Sequence, residues 1–218
     1  MMIKHLDLNE IKRYLKIEND IDEMTLLNIN KAIKLIELIV KPKYVIKKYA
    51  IELSDNQVIF KDTNLIIKSK DLVRHLNKCD EIIILVTTLG LQVDQEIKRL
   101  ELTNMSMAYI LNAVAIEYLE KYLDYIQKEV IKENKYQTNR YSIGYGDTSL
   151  TYQQDLLSLT KAFQLIGVHA LASNMMIPKK SVSALIGLSN EEVNDNTNRC
   201  TYCHLRNECH HNCLIKEE

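Results

Sequence analysis

Four cysteines lie close together in the last twenty residues of the chain, where they could hold a metal. Their spacing is Cys-x2-Cys-x5-Cys-x3-Cys, with histidines between them. Thiolates at such separations can converge on one tetrahedral zinc ion or on an iron–sulfur cluster. The spacing matches no ferredoxin pattern, so zinc, iron–sulfur and a redox-sensitive tail without metal all stay open. The predicted ligands are Cys200, Cys203, Cys209 and Cys213, and a histidine could replace one of them.

A second candidate is the segment RYSIGYG at residues 140–146, which contains two of the five glycines in the chain. Arg140 could bind a carboxylate through two parallel hydrogen bonds. Gly144 and Gly146 permit backbone conformations that are closed to other residues, and they let a ligand approach the main chain. Tyr145 could offer an aromatic face or a hydroxyl. On residue types alone, a surface turn with a solvated arginine is the simpler interpretation, because no P-loop or complete dinucleotide fingerprint is present.

The composition is that of an ordinary globular protein. With 218 residues, 46% of them hydrophobic, the chain can build a sizeable core. The net charge of −1, without a basic stripe, argues against nucleic acid as a partner. The longest apolar run, Ile82–Val86, is too short to span a membrane. The amino-terminal residues contain no apolar signal region, so we expect a cytoplasmic protein with free or metal-bound thiols.

Capping patterns and hydrophobic periodicity predict the elements that must position these residues. A capping acid at Asp7, another at Asp20 and a capping box at Thr151 begin three of the predicted helices. Helices are expected at 8–16, 21–40, 71–78, 91–100, 105–132 and 152–165, and strands at 44–53, 57–61, 81–87, 140–143, 167–173 and 180–187. Because helices and strands form segregated runs, we predict an α+β fold with a twisted, largely antiparallel sheet and packed helices.

Several stretches in a fixed order resemble a known family. Arg-x-x-x-Gly-Tyr at 140–145 is followed by Gly-Val at 167–168 and by Ser-x-x-Met-x-Pro-x-x-Ser-Val-Ser at 173–183. This order resembles the activation domain of cobalamin-dependent methionine synthase. The form Gly-Tyr-Gly-Asp, with LNEIKRYLKI at 8–17 and VTTLGLQVDQEIKR at 86–99, resembles stand-alone relatives of that domain. We therefore expect an activation domain-like domain over residues 1–190, and a polar tether with a cysteine-rich tail over 191–218.

The resemblance implies a binding site for S-adenosylmethionine. Arg140 matches an arginine that grips the methionine carboxylate, and Ser142 matches a small residue whose backbone contacts the ligand. Gly144 and Tyr145 match a Gly-Tyr pair that lines the same site.

The segment Ala113–Glu117 resembles one that supplies a glutamate near the ammonium group of the ligand. Glu117 is the residue selected, with Glu120 one turn away as the alternative. The chain departs from the pattern at Ala172, where the large enzymes have an acid, and at Ala184, where they have glycine. No aromatic residue follows in Asn190–Asn194, so the adenosine end of the site differs from that of the large enzymes.

The function implied is reductive activation of a cobalamin-dependent methyltransferase of the methionine synthase type. Cob(II)alamin is reduced by one electron and remethylated from S-adenosylmethionine, without a general base or covalent intermediate on this chain. We expect no fused cobalamin-binding domain, and therefore expect the cobalamin on a partner methyltransferase chain and the electron from a donor such as a flavodoxin or ferredoxin. Two alternatives stay open: a non-catalytic partner or chaperone of a corrinoid protein with a zinc-stapled tail, and a subunit of a split methionine synthase.

Overall fold

The computed structural model of the chain describes residue 3, residues 5–131 and residues 135–193. The chain divides into two compact units. The first unit takes in Met1–Val45, Val86–Lys132 and Lys161–Val182. The second unit takes in Ile46–Leu85, Glu133–Thr160 and Ser183–Glu218. The predicted metal ligands Cys200, Cys203, Cys209 and Cys213 lie outside the described residues.

Seven α-helices and eight strands are present in the described residues. The helices are α1 (Leu8–Tyr14), α2 (Glu23–Ile39), α3 (Lys70–His75), α4 (Leu91–Thr103), α5 (Met105–Tyr125), α6 (Gln153–Leu159) and α7 (Ala162–Ile166). A π-helical turn, Ile126–Val130, continues α5, and a 3-10 turn, Leu150–Tyr152, precedes α6. The strands are β1 (Lys43–Ser54), β2 (Gln57–Phe60), β3 (Ile66–Lys68), β4 (Glu81–Thr88), β5 (Tyr136–Gln137), β6 (His169–Ala170), β7 (Met176–Ile177) and β8 (Ser181–Ser189).

Helix α5 is the centre of the first unit, where α1, α2 and α4 pack against it. Its buried residues Leu111, Ala115, Tyr118 and Tyr122 recur at three- and four-residue intervals, which places them along the faces that these helices cover. Burial of this apolar surface is what stabilises the helix pairs. The β6–β7 hairpin and α7 also belong to the first unit.

Side chains satisfy the first N–H groups of α1 and α2, two of the helices that pack on α5. Asp7 accepts from the Asn9 N–H at 2.8 Å at the start of α1. Asp22 accepts from the Thr25 N–H at 2.9 Å at the start of α2, so the prediction that Asp20 caps this helix is wrong. Both carboxylates satisfy donors that have no partner within the helix.

The strands form a six-stranded sheet in the order β3-β2-β1-β4-β8-β5. Strands β1 and β2 pair antiparallel across a two-residue turn, and β2–β3 and β5–β8 are also antiparallel. The Asp80 N–H donates to the Leu188 carbonyl and the Leu89 N–H to the Lys180 carbonyl, so β4 and β8 run in opposite directions. The α+β prediction with a largely antiparallel sheet is confirmed.

Three local predictions are wrong between residues 140 and 173. The predicted helix over 152–165 is broken between α6 and α7, where Lys161 adopts a left-handed conformation with φ of 53°. Of the strand predicted at 140–143, only Tyr141 forms a bridge, to Leu185. Of the strand predicted at 167–173, only His169–Ala170 is extended, and β7 was not predicted. In the described ranges, no helix has the length and apolar content needed to cross a membrane.

Candidate ligand site

The segment 140–148, called here the candidate loop, begins where the chain leaves the sheet. Tyr141 forms an isolated bridge with Leu185 of β8: its N–H donates to the Leu185 carbonyl at 2.9 Å, and the Leu185 N–H donates back at 2.7 Å. Arg140, the residue before this bridge, is half-buried. The bridge therefore fixes the backbone of the candidate loop directly beside its arginine.

Two glycines with positive φ turn the candidate loop back on itself. Gly144 has φ of 94° and Gly146 has φ of 56°, values that glycine adopts without strain. The Gly144 N–H donates to the Thr148 carbonyl at 3.2 Å, and the Thr148 N–H donates to the Tyr145 carbonyl at 3.0 Å. Between the glycines, Tyr145 is 69% exposed, so its ring is available to a ligand.

The Tyr141 hydroxyl stabilises this turn through hydrogen bonds. It donates to the Tyr145 carbonyl at 2.8 Å and lies 2.8 Å from the Thr148 hydroxyl. Burial raises the pKa of Tyr141 above its usual value, so the phenol stays protonated and able to donate at neutral pH. Ser142, half-buried in the same turn, accepts from the Tyr145 N–H at 3.4 Å through its carbonyl.

Asp147 joins the candidate loop to the start of α3. Its carboxylate accepts from the Ser69 hydroxyl at 2.5 Å, the Lys70 N–H at 2.8 Å and the Asp71 N–H at 3.2 Å. Burial on its own would raise the pKa of the Asp147 carboxyl, but these hydrogen bonds stabilise the charged form and lower the pKa below its usual value. Sequence reasoning missed Asp147, although its position next to Gly146 and the helix-start pattern at Ser69 were both visible.

The helix that follows the candidate loop begins differently from the prediction. The Ser149 hydroxyl, and not Thr151, accepts the first hydrogen bond, from the Thr151 N–H at 3.3 Å. Gln153 is then buried in α6, where its amide donates to the Ser183 hydroxyl at 2.9 Å and accepts from it at 3.0 Å. Ser183 is the last serine of the predicted Ser-Val-Ser motif, and its hydroxyl is used within the second unit.

The start of the same motif lies in the first unit. The Ser181 hydroxyl donates to the Pro178 carbonyl at 2.6 Å, after a cis Ile177–Pro178 bond. The Lys180 ammonium donates to the Asn112 side chain at 2.7 Å. Burial lowers the pKa of Lys180, since an ammonium loses hydration there. These contacts hold the motif to α5 and give both serine hydroxyls structural partners.

Glu117 lies in the first unit, whereas the other four predicted ligand-binding residues lie in the second. Its side chain is buried on α5, with the residue 2% exposed. The carboxylate accepts from the Asp7 N–H at 3.0 Å and lies 3.7 Å from the Lys121 ammonium. Burial raises the pKa of the Glu117 carboxyl, and the two partners only partly oppose that rise. Glu117 thus ties the start of α1 to α5; Glu120, the alternative, is half-buried.

At pH 7 we expect the free energy of unfolding of Glu117→Gln to equal that of the wild type or to exceed it by up to about 1 kcal/mol. The amide keeps an acceptor for the Asp7 N–H and removes a buried charge. Because the folded-state pKa is raised, the cost of that charge is absent below the unfolded pKa and appears as pH rises through the folded pKa. Urea unfolding from pH 4 to pH 7 should show a variant–wild-type difference that grows with pH.

Glu120→Gln, the same change one turn away, serves as the control for the loss of a carboxylate from α5. A marked loss of stability in Glu117→Gln at pH 7 would contradict this account. That result would mean that the Lys121 pair and the charged hydrogen bond outweigh the cost of burial.

Within the residues that the structure describes, no three histidine, cysteine or acidic side chains converge in a way that could hold a metal. The free cysteine among them, Cys79, is buried. The predicted cysteine site at 200–213 belongs to the part of the chain outside this description.

Comparison with known proteins identifies a family and a fold. The family model described as "Vitamin B12 dependent methionine synthase, activation domain" matches residues 57–201. No curated protein matches the chain. The solved structure titled "Crystal Structure of the MetH Reactivation Domain bound to AdoHcy" matches with a TM-score of 0.64 and 13% sequence identity, covering 86% of this chain and 75% of that chain. At this identity the likeness shows the fold alone.

Proposed function

The chain belongs to the family of vitamin B12-dependent methionine synthase activation domains, and on that basis we propose that it binds S-adenosylmethionine and supports remethylation of a cobalamin carried by a partner protein. The observation that carries the proposal is the candidate loop, which holds Arg140 beside a fixed bridge and presents Tyr145 and the main chain at Gly144. The similar reactivation domain, solved with AdoHcy bound, supports a related ligand here.

The residues of the candidate loop suit the amino-acid end of S-adenosylmethionine. The planar guanidinium of Arg140 can form two parallel hydrogen bonds with the methionine carboxylate. Gly144 has no side chain to keep a ligand from the main chain, and the exposed ring of Tyr145 can cover one face of the ligand. We assign Ser142 to the backbone contact and Glu117 to the ammonium group.

The chemistry itself belongs to the ligand and the cobalamin. S-adenosylmethionine would supply an electrophilic methyl group, and the partner's cobalamin, after reduction by one electron from the donor, would accept it and leave S-adenosylhomocysteine. This chain orients the sulfonium and keeps the reacting groups together, which is an entropic contribution. We propose a cobalamin-binding methyltransferase chain as the partner and a flavodoxin or ferredoxin as the electron donor.

Calorimetric titration of the whole chain with S-adenosylmethionine is the first test of this function. We expect saturable binding that Glu117→Gln weakens and Glu120→Gln leaves unchanged. In a second step, anaerobic mixing with a cobalamin-binding methyltransferase chain and a low-potential reductant should give the methylcobalamin spectrum only when S-adenosylmethionine is present. A chain that binds the cobalamin protein but no S-adenosylmethionine would instead support the non-catalytic partner.

We also propose that Cys200, Cys203, Cys209 and Cys213 hold one metal centre, either zinc or an iron–sulfur cluster. The spacing is the support, together with the few aliphatic residues of the segment, since metal binding can supply folding free energy where burial cannot. Protein made anaerobically with both metals available should contain about one zinc per chain, or be brown and bleach with dithionite.

Replacing any one of the four cysteines by serine should reduce the bound metal or weaken its retention against a chelator. The matched control is Cys79→Ser, because Cys79 is 6% exposed and lies outside the proposed set. Metal loss in the control as large as in the four variants would contradict the assignment. Protein with neither zinc nor iron would overturn the proposal in favour of a redox-sensitive tail.

A further inference from the structure

The first N–H groups of α3 are satisfied by its own N-cap residue and by a residue of the candidate loop, which is distant in sequence. The Ser69 hydroxyl accepts from the Leu72 N–H at 2.9 Å, as expected of an N-cap serine. The Lys70 and Asp71 N–H groups donate to the carboxylate of Asp147, at 2.8 Å and 3.2 Å. Asp147 therefore completes a cap that the local sequence of α3 supplies only in part.

The contact is reciprocal, since α3 also holds the backbone of the candidate loop. The Asp147 N–H donates to the Asp71 carboxylate at 3.1 Å, and that carboxylate is itself held by Arg74 at 2.9 Å. The Thr148 hydroxyl donates to the Ser69 hydroxyl at 2.7 Å, and the Ser69 hydroxyl donates to Asp147 at 2.5 Å. These hydrogen bonds run in both directions, so neither segment can shift without breaking contacts of the other.

Two further contacts show how closely the loop lies against this junction. A Cβ added at Gly146 would lie 3.0 Å from Cγ and 3.1 Å from Cβ of Asp71, closer than side chains normally approach. Beyond the loop, the Lys68 N–H donates to the Tyr152 hydroxyl at 3.1 Å. Residues 146–152 thus pack against the segment that runs from β3 into α3.

We propose that Asp147 is a positioning residue for the ligand site: by capping α3, its carboxylate fixes the candidate loop in the conformation that presents Gly144 and Tyr145. This inference rests on the proposed function. Asp147 is not assigned a contact with the ligand; its effect is to order the loop before the ligand arrives. A loop that is already ordered loses less conformational freedom on binding, so the same contacts give a higher affinity.

The test compares Asp147→Ala and Asp147→Asn with Asp22→Ala, which removes a carboxylate cap from α2 in the first unit. We expect Asp147→Ala to increase amide hydrogen exchange in residues 141–149 and 69–73 and to weaken S-adenosylmethionine binding about tenfold. Asparagine keeps one acceptor oxygen, so Asp147→Asn should fall between alanine and wild type on both measures. Asp22→Ala should lower the melting temperature without changing loop exchange or affinity.

Two results would overturn the inference: unchanged exchange at 141–149 in Asp147→Ala, or unchanged affinity although the loop has become faster to exchange. An equal loss of affinity in Asp22→Ala would also count against it, because the effect would then follow general stability. If the wild type binds no S-adenosylmethionine, the proposed function fails, and exchange alone then decides whether Asp147 holds the loop. If Asp147→Ala does not fold, Asp147→Asn and Asp71→Asn carry the same comparison.

Discussion

Arg140→Ala is expected to weaken S-adenosylmethionine binding by about ten- to a hundredfold, because it would remove the charge-assisted pair of hydrogen bonds that we propose with the methionine carboxylate, worth about 1.5–3 kcal/mol. Arg140→Lys should restore only part of the affinity, since an ammonium lacks the planar fork that matches a carboxylate. Isothermal titration of the two variants and the wild type measures the effect directly.

The control for Arg140→Ala is Arg99→Ala, on α4. Arg99 is an exposed arginine whose guanidinium pairs with Glu96 at 2.7 Å within the same helix. Surface pairs of this kind contribute little to stability, and we expect no change in affinity. An Arg140→Ala variant that binds as tightly as the wild type, with an unchanged melting temperature, would remove Arg140 from the site.

The parts of the fold that depend on neighbouring residues were predictable from the sequence. The turn between β1 and β2 occupies Asp55 and Asn56, between strands that were both predicted, because turn residues and alternating apolar residues lie within a few positions of one another. Helix α2 was placed nearly correctly although Asp22, not Asp20, caps it. Two acids precede the same apolar pattern, and the choice between them depends on backbone angles that the sequence does not show.

The break between α6 and α7 could not be predicted from local sequence. No glycine or proline lies between Thr151 and Ile166, so nothing in the segment ends a helix. In the structure, the buried Thr160 hydroxyl donates to the carbonyls of Leu156 and Leu157, and Lys161 adopts a positive φ. This conformation has a steric cost for a lysine, so the local sequence gives no reason to expect it.

In the candidate site, too, features of neighbouring residues could be predicted and contacts between distant residues could not. The arginine and the glycines of the candidate loop are adjacent in sequence, so their pattern was visible and their relation to the family could be stated. The hydrogen bonds that hold the loop join Asp147 to Ser69, Lys70 and Asp71, at separations of 76–78 residues. A single sequence shows that each of these residues is polar, but it does not show that they meet.

The largest stability effect is expected at Gly187, near the end of β8. A Cβ built there would lie 2.5 Å from the Cys79 sulfur, 2.7 Å from Cδ2 of Leu76 and 3.1 Å from Cγ2 of Thr138. Overpacking of this kind costs about 1–3 kcal/mol, so Gly187→Ala should lower the midpoint of urea unfolding clearly, under reducing conditions.

The loss of stability in Gly187→Ala should come from overpacking and not from backbone strain. Combining Gly187→Ala with Cys79→Ala removes the nearest atom, so the double variant should be less destabilised than the sum of the single variants, by about 1 kcal/mol. Gly167→Ala is the contrasting control, since a Cβ there meets nothing within 4 Å but sits at φ of 75°. The destabilisation caused by Gly167→Ala should be the same in the Cys79→Ala variant as in the wild type. If Gly187→Ala lowers the free energy of unfolding by the same amount with and without the Cys79 sulfur, the coupling is absent. Leu76 and Thr138 would then leave no room for a Cβ by themselves; the Thr138 hydroxyl already accepts from the Gly187 N–H at 2.9 Å.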